Sequence, residues 1–456
     1  MDRVRIPSLI LLLAMCTLVS CGRAPTAPPP DLVLVVIDTC RRDALGSYGA
    51  DPTVTPHLDA FAREHVRFER AIAPSPWTLP SVATMLTGRM PGIHGAYGQG
   101  KNLTVLRPEI ATGAEVLRDR GWATGAVVNA PFLKPPLGLS RGFEMYDYVP
   151  GTPQSQRRAG PSVDIALERL EANRDRPDLL LLHVFDPHLP YDPPADLAAR
   201  AREGYEGAWE PPLRLLKDMR TPGWKPDPPE MEYLRRVYDA EVTGVDRELG
   251  RFFRELEERG LAANTCVVVT ADHGEEFHDH GGWEHGHTMY EELVHVPLLV
   301  KLPAGREVRR HVVEAQVSLL DLLPTLFDVA GEEPPADLPG TSFLEMITGE
   351  AEPVSRPAIS ERVHLGGRQF SLRDGEFAWL WWDDEDRGEL YRWTDDPRER
   401  EEISARYPEV AERMREELLD RIEAMESAAA ELSPREELGP SGPLVEQLKS
   451  LGYAGG

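Results

Sequence analysis

The chain is predicted to be an α/β protein: a mostly parallel central sheet covered by helices, with a smaller C-terminal α+β subdomain holding a short antiparallel sheet. Three observations predict this. Between residues 31 and 335, near-continuous apolar runs alternate with amphipathic helical stretches. Several of those runs end in polar, metal-type side chains, as buried parallel strands do at a ligand-binding edge. After residue 335 the apolar segments shorten and alternate, with turn residues between them. A length of 456 residues suffices for one large domain with an appendage, or for two or three smaller ones.

The elements follow in order. "DLVLVVID" (31–38) is a buried strand ending in Asp38, and "TPHLDAFAREHVRF" (55–68) is an amphipathic helix. "LPSVATMLTG" (79–88) is a helix opening just after Thr78. "IATGAEVLRDRGWATGAVVNA" (110–130) reads as helix, glycine stop and strand. "SVDIALERLEANRDRPDLLLLHVFDPH" (162–188) repeats that order and ends in Asp186 and His188. A long helix (232–259) stops at Gly260. "NTCVVVTADHGEEF" (264–277) is a second buried strand ending in Asp272 and His273; "HVPLLVKLPAG" and the helix "VSLLDLLPTLFDVAG" come next. "PAISER", "RQFSLRDGEFAWLWW" and "GELYRW" are short antiparallel strands, and residues 407–432 form a charged helix. The expected divisions are 1–20, 21–30, 31–335, 336–432 and a tail, 433–456.

With 76 acidic against 50 basic residues, the net charge of −26 argues against a nucleic acid or polyanion held by general electrostatics. A local cationic site, such as a bound metal, still attracts an anionic substrate.

Residues 1–20 read as a targeting segment. "MDRVR" is the positive n-region, and the apolar run after it is short for a membrane span. It ends in "LVSC", a lipobox pattern whose Cys21 would carry lipid; the plainer alternative is an ordinary signal peptide with an incidental cysteine. "GRAPTAPPP" follows as an extended tether. This predicts a lipoprotein of the bacterial cell envelope; by resemblance to other lipoproteins, Gly22 after the cysteine implies the outer membrane, with the protein facing the periplasm or exterior. Cys40 and Cys266 remain, either bridged or as buried thiols.

Three strand ends offer hard or borderline metal ligands: Asp38, the Asp272–His273 pair and the Asp186/His188 loop. Carboxylates plus one imidazole suit Ca²⁺, Mg²⁺, Mn²⁺ or Zn²⁺. Thr78 lies at a helix N-terminus, where backbone amides favour an anion beside its hydroxyl.

Through "VVIDTCRRDALGSYG", "TPHLDAFA", "LPSVATMLTGRMPGIHG", "HVFDPHLPYDPP", "YDAEVTGVDRELG", "TADHGEEFHDHG" and "HTMYEELVHVPLLVKLP", the chain resembles the sulfatase family of the alkaline phosphatase superfamily over nearly all of residues 31–395. The resemblance implies an alkaline-phosphatase-like α/β/α sandwich and hydrolysis of anionic esters.

The departures from that family carry the argument. Its sulfatases have Cys or Ser in C/S-x-P-S-R, converted to formylglycine. Here the motif is Thr78-Leu79-Pro80-Ser81-Val82. Oxidation of a secondary hydroxyl gives a ketone, and the supporting arginine is Val82. The family's paired Asp-Asp is Asp38-Thr39, and Asn129 stands near one family lysine. The second lysine is absent, with His285 and His287 in its neighbourhood. Unmodified Thr nucleophiles occur in phosphodiesterases and phosphotransferases of the superfamily. By that resemblance Asp38, Thr78, Asp272 and His273 bind one divalent ion (Ca, Mn or Zn), and Thr78 attacks phosphorus. His188 is expected to serve as acid for the leaving group or, alternatively, to hold its loop; Asn129 is an oxyanion donor or a plain strand-end residue, and His285 and His287 are expected to bind substrate oxygens. A second metal on His285, His287 and Asp186 is an alternative, as is a plain loop at "HGGWEHGH". Arg41 and His94 are expected to support the site from behind. "FAWLWW" (377–382) is a packed strand or, alternatively, a carbohydrate platform.

The expected function is a lipid-anchored, metal-dependent hydrolase of a phosphodiester or phosphonate-type ester, with phosphotransfer as a variant. The substrate would be a phosphorylated or sulfated glycan, lipid or small molecule. Two alternatives are sulfate-ester hydrolysis and a catalytically silent glycan-binding protein.

Overall fold

The computed structural model describes residues 28–99, 102–151, 156–213, 215–363 and 367–439. The targeting segment, Cys21 and most of the C-terminal tail lie outside them. Strands β1 (Asp31–Ile37), β2 (Val66–Ile72), β3 (Ala123–Val128), β4 (Met145–Tyr148), β5 (Asp178–Val184), β6 (Thr265–Ala271), β7 (His295–Val296), β8 (Leu298–Lys301) and β9 (Val312–Ser318) form the main sheet. From one edge it runs β4–β3–β5–β1–β6–β8–β2, with β7 and β9 also on β2. Pairing is parallel from β4 to β6 and between β9 and β2; β7 and β8 run antiparallel to their neighbours. All seven residues of β5 and of β6 are buried, as expected of central strands with helices on both faces.

Helices α1 (Pro56–Glu64), α2 (Thr78–Thr87), α3 (Gly113–Asp119), α4 (Ala159–Ala172), α5 (Pro228–Glu258) and α6 (Leu322–Ala330) cover the sheet. The longest, α5, opens on a capping box in which Asp227 and Glu230 satisfy each other's backbone amides. It starts four residues before the predicted position, because Pro228 and Pro229 fit the first turn of a helix. Helix α2 is buried along its whole length and ends at Gly88, whose φ of +64° suits glycine.

Strands β10 (Ala358–Val363), β11 (Arg368–Arg373), β12 (Ala378–Trp382) and β13 (Arg387–Tyr391) form the expected C-terminal antiparallel sheet, packed on α7 (Pro408–Ala430). Trp379 and Trp381 are buried there, so the aromatic run is a packed strand and not an open platform. This sheet grips the segment before α2: Ser360 Oγ donates to the Ala73 carbonyl at 2.6 Å and Glu361 N to the Pro74 carbonyl at 2.8 Å. Cys40 and Cys266 are buried free thiols. Among the described residues, no helix is long and apolar enough to cross a membrane.

Candidate active site

Register alone brings the acids together. Ile37 of β1 pairs with Ala271 of β6, so the next residues, Asp38 and Asp272, leave the sheet side by side. Asp38 has no hydrogen-bond partner for either carboxylate oxygen, and it is fully buried. Asp272 Oδ1 accepts from the backbone amides of Thr39 (3.3 Å) and His273 (3.0 Å), whereas its Oδ2 has no such partner. Burial, with the charges of Asp272 and Glu275, pushes Asp38 well above the ordinary carboxylate range.

His273 completes this edge. Its Nδ1 lies 2.9 Å from the Gly274 carbonyl, which places the proton there and leaves the Nε2 lone pair toward the acids. Nε2 is 3.5 Å from Asp272 Oδ2 and 3.8 Å from Asp38 Oδ1. The tight turn after it needs a glycine: a Cβ on Gly274 would lie 1.9 Å from the Glu292 carbonyl oxygen.

Thr78 is the first residue of α2 and is buried. Its hydroxyl is 3.2 Å from His273 Nε2 and, given that tautomer, donates to it. Ser81 Oγ donates to the Asp272 carbonyl at 2.7 Å, pinning the first turn of α2 to the end of β6. His94 Nε2 reaches the Pro80 carbonyl at 3.2 Å and holds the same turn from behind. Thr39 has a φ of +54°, costly for a β-branched residue, and Tyr238 clamps it by donating to its carbonyl at 2.8 Å. Arg41, also buried, is fixed by Asp43 (2.8 Å) and Asp279 (2.7 Å) and supports the loop without reaching the acids.

One residue missed by the sequence reading joins this group. Ligand atoms of His183, Asp38 and Asp272 all lie within 4.8 Å of one another, and all three residues are buried. His183 Nε2 is 3.5 Å from Asp38 Oδ2. The only signal in the sequence was a histidine interrupting the leucine run of β5.

The remaining predicted residues divide. His285 lies close: its ring is 4.4 Å from His273 and 5.1 Å from His188, and its Nδ1 is held by Glu275 at 2.9 Å. His188 stacks on Phe185 at 4.4 Å, with Nδ1 2.6 Å from the Leu189 carbonyl. Burial, reinforced by the nearby His273, pulls its pKa down to about 3. His287 instead pairs with Glu276 at 2.6 Å. Asp186 accepts from the first amide of α4, Ala159 N, at 3.1 Å. Asp186, His285 and His287 thus have separate partners and form no group of metal ligands among the described residues. Asn129 does not turn its amide to the acids. Its Nδ2 donates to Ser162 Oγ and to the His183 carbonyl, and its Oδ1 accepts from Arg157 Nε at 2.7 Å. That network anchors β5 beside the site. The loop at "HGGWEHGH" (280–287) carries a two-residue strand, Trp283–Glu284, paired antiparallel with Glu276–Phe277.

Two buried carboxylates at this spacing repel by about 3–4 kcal/mol at an effective dielectric constant of about 20. Only a proton or a cation relieves that. Unpartnered oxygens on both acids, converging with an imidazole lone pair and a hydroxyl, fit a divalent ion.

Comparisons with known proteins agree with this geometry. A family model described as Sulfatase matches residues 30–332, and one described as N-sulphoglucosamine sulphohydrolase, C-terminal, matches 279–425. The chain is 26% identical over 495 aligned positions to an N-acetylglucosamine-6-O-sulfatase of Bacteroides thetaiotaomicron, covering 87% of each. It is 27% identical to an ulvan-active sulfatase of Formosa agariphila, covering 73% of this chain and 68% of that one. In fold it resembles the phosphonate monoester hydrolase of Agrobacterium radiobacter (TM-score 0.71, 20% identity, 87% of this chain and 96% of that one). It also resembles a protein solved with its substrate D-glucosamine-2-N,6-O-disulfate (TM-score 0.69, 21% identity, 88% and 98%). A family match over most of the chain, on a fold that gathers the acids, imidazoles and hydroxyl at one sheet edge, places the chain in the sulfatase family and makes it an ester hydrolase.

Proposed function

We propose that the protein hydrolyses phosphodiester or phosphonate-type esters with Thr78 as nucleophile, transfer to an acceptor alcohol being a variant of the second step. The observation that carries this reading is an unmodified threonine hydroxyl at the start of α2, hydrogen-bonded to His273 amid the carboxylate–imidazole cluster. A divalent ion held by Asp38, Asp272 and His273 would supply Lewis acidity, lowering the pKa of the Thr78 hydroxyl and offsetting the charge of the ester.

The chain's own groups do the rest. The N-terminal amides of α2 favour the anionic group beside Thr78. Thr78 Oγ forms a bond to phosphorus as the bond to the leaving oxygen breaks, and the hydroxyl proton ends on the departing alcohol. Water then cleaves the phosphothreonine: its oxygen goes to phosphorus and one proton returns to Thr78. The rings of His188 and His285, fixed by the Leu189 carbonyl and by Glu275, pack beside His273. A formylglycine hydrate expels sulfate by elimination from a geminal diol, a route closed to threonine.

The second reading is sulfate-ester hydrolysis, favoured by the names of the curated relatives. Rates on bis-nitrophenyl phosphate, a nitrophenyl phosphonate, nitrophenyl phosphate and nitrophenyl sulfate, each with Mn²⁺, Zn²⁺ and Ca²⁺, separate the two. Turnover of the diester or phosphonate, with a trapped phosphoryl group on the Thr78 peptide by mass spectrometry, is expected. Turnover of the sulfate alone would overturn the proposal.

We further propose that Cys21 anchors the protein to the cell envelope through lipid. Cys21→Ser is expected to move the chain to the soluble fraction; retention with the membrane would refute the anchor.

A further inference from the structure

We propose that His183 is a direct ligand of the metal, so that the site has two imidazoles and two carboxylates and selects Zn²⁺ or Mn²⁺ over Ca²⁺. The inference rests on the metal reading of the Asp38–Asp272 cluster and extends it.

Topology puts His183 on the correct face. In the parallel ladder, Val36 of β1 pairs with His183 on one side and with Thr270 on the other. Side chains alternate along a strand, so His183 shares a face with Asp38 and Asp272, each two residues further along its own strand. Ligand atoms of His183, Asp38 and Asp272 lie within 4.8 Å of one another, a span one ion can bridge, and His273 adjoins that group through Asp272. Ligands around a tetrahedral ion with bonds of about 2.1 Å stand about 3.4 Å apart. His183 Nε2 to Asp38 Oδ2 is 3.5 Å, and His273 Nε2 to Asp272 Oδ2 is also 3.5 Å. Neither pair is hydrogen-bonded, although all four residues are buried.

The hydrogen-bond accounting points the same way. Both ring nitrogens of His183 are buried without a partner. A buried imidazole kept only for packing would leave a donor and an acceptor unsatisfied. Ligation of the ion by Nε2 satisfies the acceptor. The backbone of His183 is fixed as well, because Asn129 Nδ2 donates to its carbonyl. Two nitrogen donors then sit beside two carboxylates and a hydroxyl, and nitrogen donors favour borderline ions over Ca²⁺, which takes six to eight oxygens.

The test measures metal binding and not turnover. Zn²⁺ and Ca²⁺ affinities would be determined by calorimetry on the full chain, and the Co²⁺-loaded protein examined by visible absorption. His183→Gln is expected to weaken Zn²⁺ at least 10-fold, leave Ca²⁺ within about 3-fold and shift the Co²⁺ bands. His183→Asp, read alongside it, is expected to lower the Zn²⁺/Ca²⁺ affinity ratio by replacing nitrogen with oxygen; it keeps the test decisive if the Gln variant does not fold. Unchanged Zn²⁺ affinity and Co²⁺ bands in the Gln variant, or an unchanged ratio in the Asp variant, would overturn the ligand role. Asp272→Asn separates this failure from that of the metal reading. If it removes Zn²⁺ binding while the His183 variants do not change it, only the role of His183 falls; if Asp272→Asn binds Zn²⁺ as the parent does, the metal reading falls too.

Discussion

Thr78 Oγ1 lies 3.2 Å from His273 Nε2, joining the first residue of a helix to the end of a strand 195 residues later. The contact has a kinetic consequence. Thr78→Ala is expected to lower kcat by at least about 10³-fold, since it deletes the hydroxyl proposed to attack. Thr78→Ser is expected to retain a measurable fraction, because a primary hydroxyl occupies the same place. Thr78→Cys combined with Val82→Arg is expected to show no sulfatase activity. Steady-state rates, with circular dichroism to confirm folding, check all three.

Metal removal acts on stability as well as rate. Without a cation, Asp38 and Asp272 face each other as buried acids, and Asp38 holds a proton more tightly than usual. An ion at about 1,000 times its dissociation constant is expected to stabilise the fold by about 4 kcal/mol. Chelation should therefore lower Tm, and titration back with Zn²⁺ or Mn²⁺ should raise it. Differential scanning calorimetry reads both.

His280 gives a pH prediction away from the cluster. Its Nδ1 meets Glu292 Oε1 at 2.8 Å and its Nε2 the Glu399 carbonyl at 2.9 Å, so both nitrogens face acceptors and both must carry protons. Burial lowers its pKa, but the hydrogen bond and charge of Glu292 outweigh that and raise it to about 9. The folded value exceeds the unfolded one, near 6.5. The stabilisation is thus complete below about pH 6.5 and lost as pH rises through about 9. His280→Gln should lower Tm at pH 6 and make little difference at pH 10.

Glu399 ties the C-terminal sheet to the loop carrying His280. Its carboxylate meets Arg373 Nη2 at 2.7 Å and accepts from Glu291 N at 2.9 Å, all within the interior. Glu399→Ala leaves the Arg373 guanidinium buried without its counter-charge, at a cost of about 3–5 kcal/mol. Glu399→Gln should cost less, because it keeps an acceptor for Arg373. Urea unfolding of both variants measures the difference.

The alternation of apolar runs and helical periodicity made the main sheet legible, and strand ends ending in Asp38 and Asp272–His273 marked its functional edge. His183 was not legible. A strand buried on both faces shows no polar–apolar alternation, so nothing in "DLLLLHV" says which side chain faces an ion. Only register with Val36 reveals it. The partners of Asn129, Arg157 and Ser162, lie 28 and 33 residues away and are invisible to local pattern. His285 and His287 look equivalent in sequence, yet they separate in space because adjacent acids, Glu275 and Glu276, capture one each.

The two hydrogen bonds from β10 to Ala73 and Pro74, with the contact of Glu361 Oε2 to Gly92 N at 2.8 Å, bracket the stretch that carries Thr78. The hydroxyl proposed as nucleophile is therefore held by a part of the chain that contributes none of the clustered side chains. A shortened chain ending before residue 358 would keep every acid and imidazole of the cluster and still lose the jig that holds Thr78 in place. Loop grafts and truncations intended to retune this enzyme must carry that jig with them.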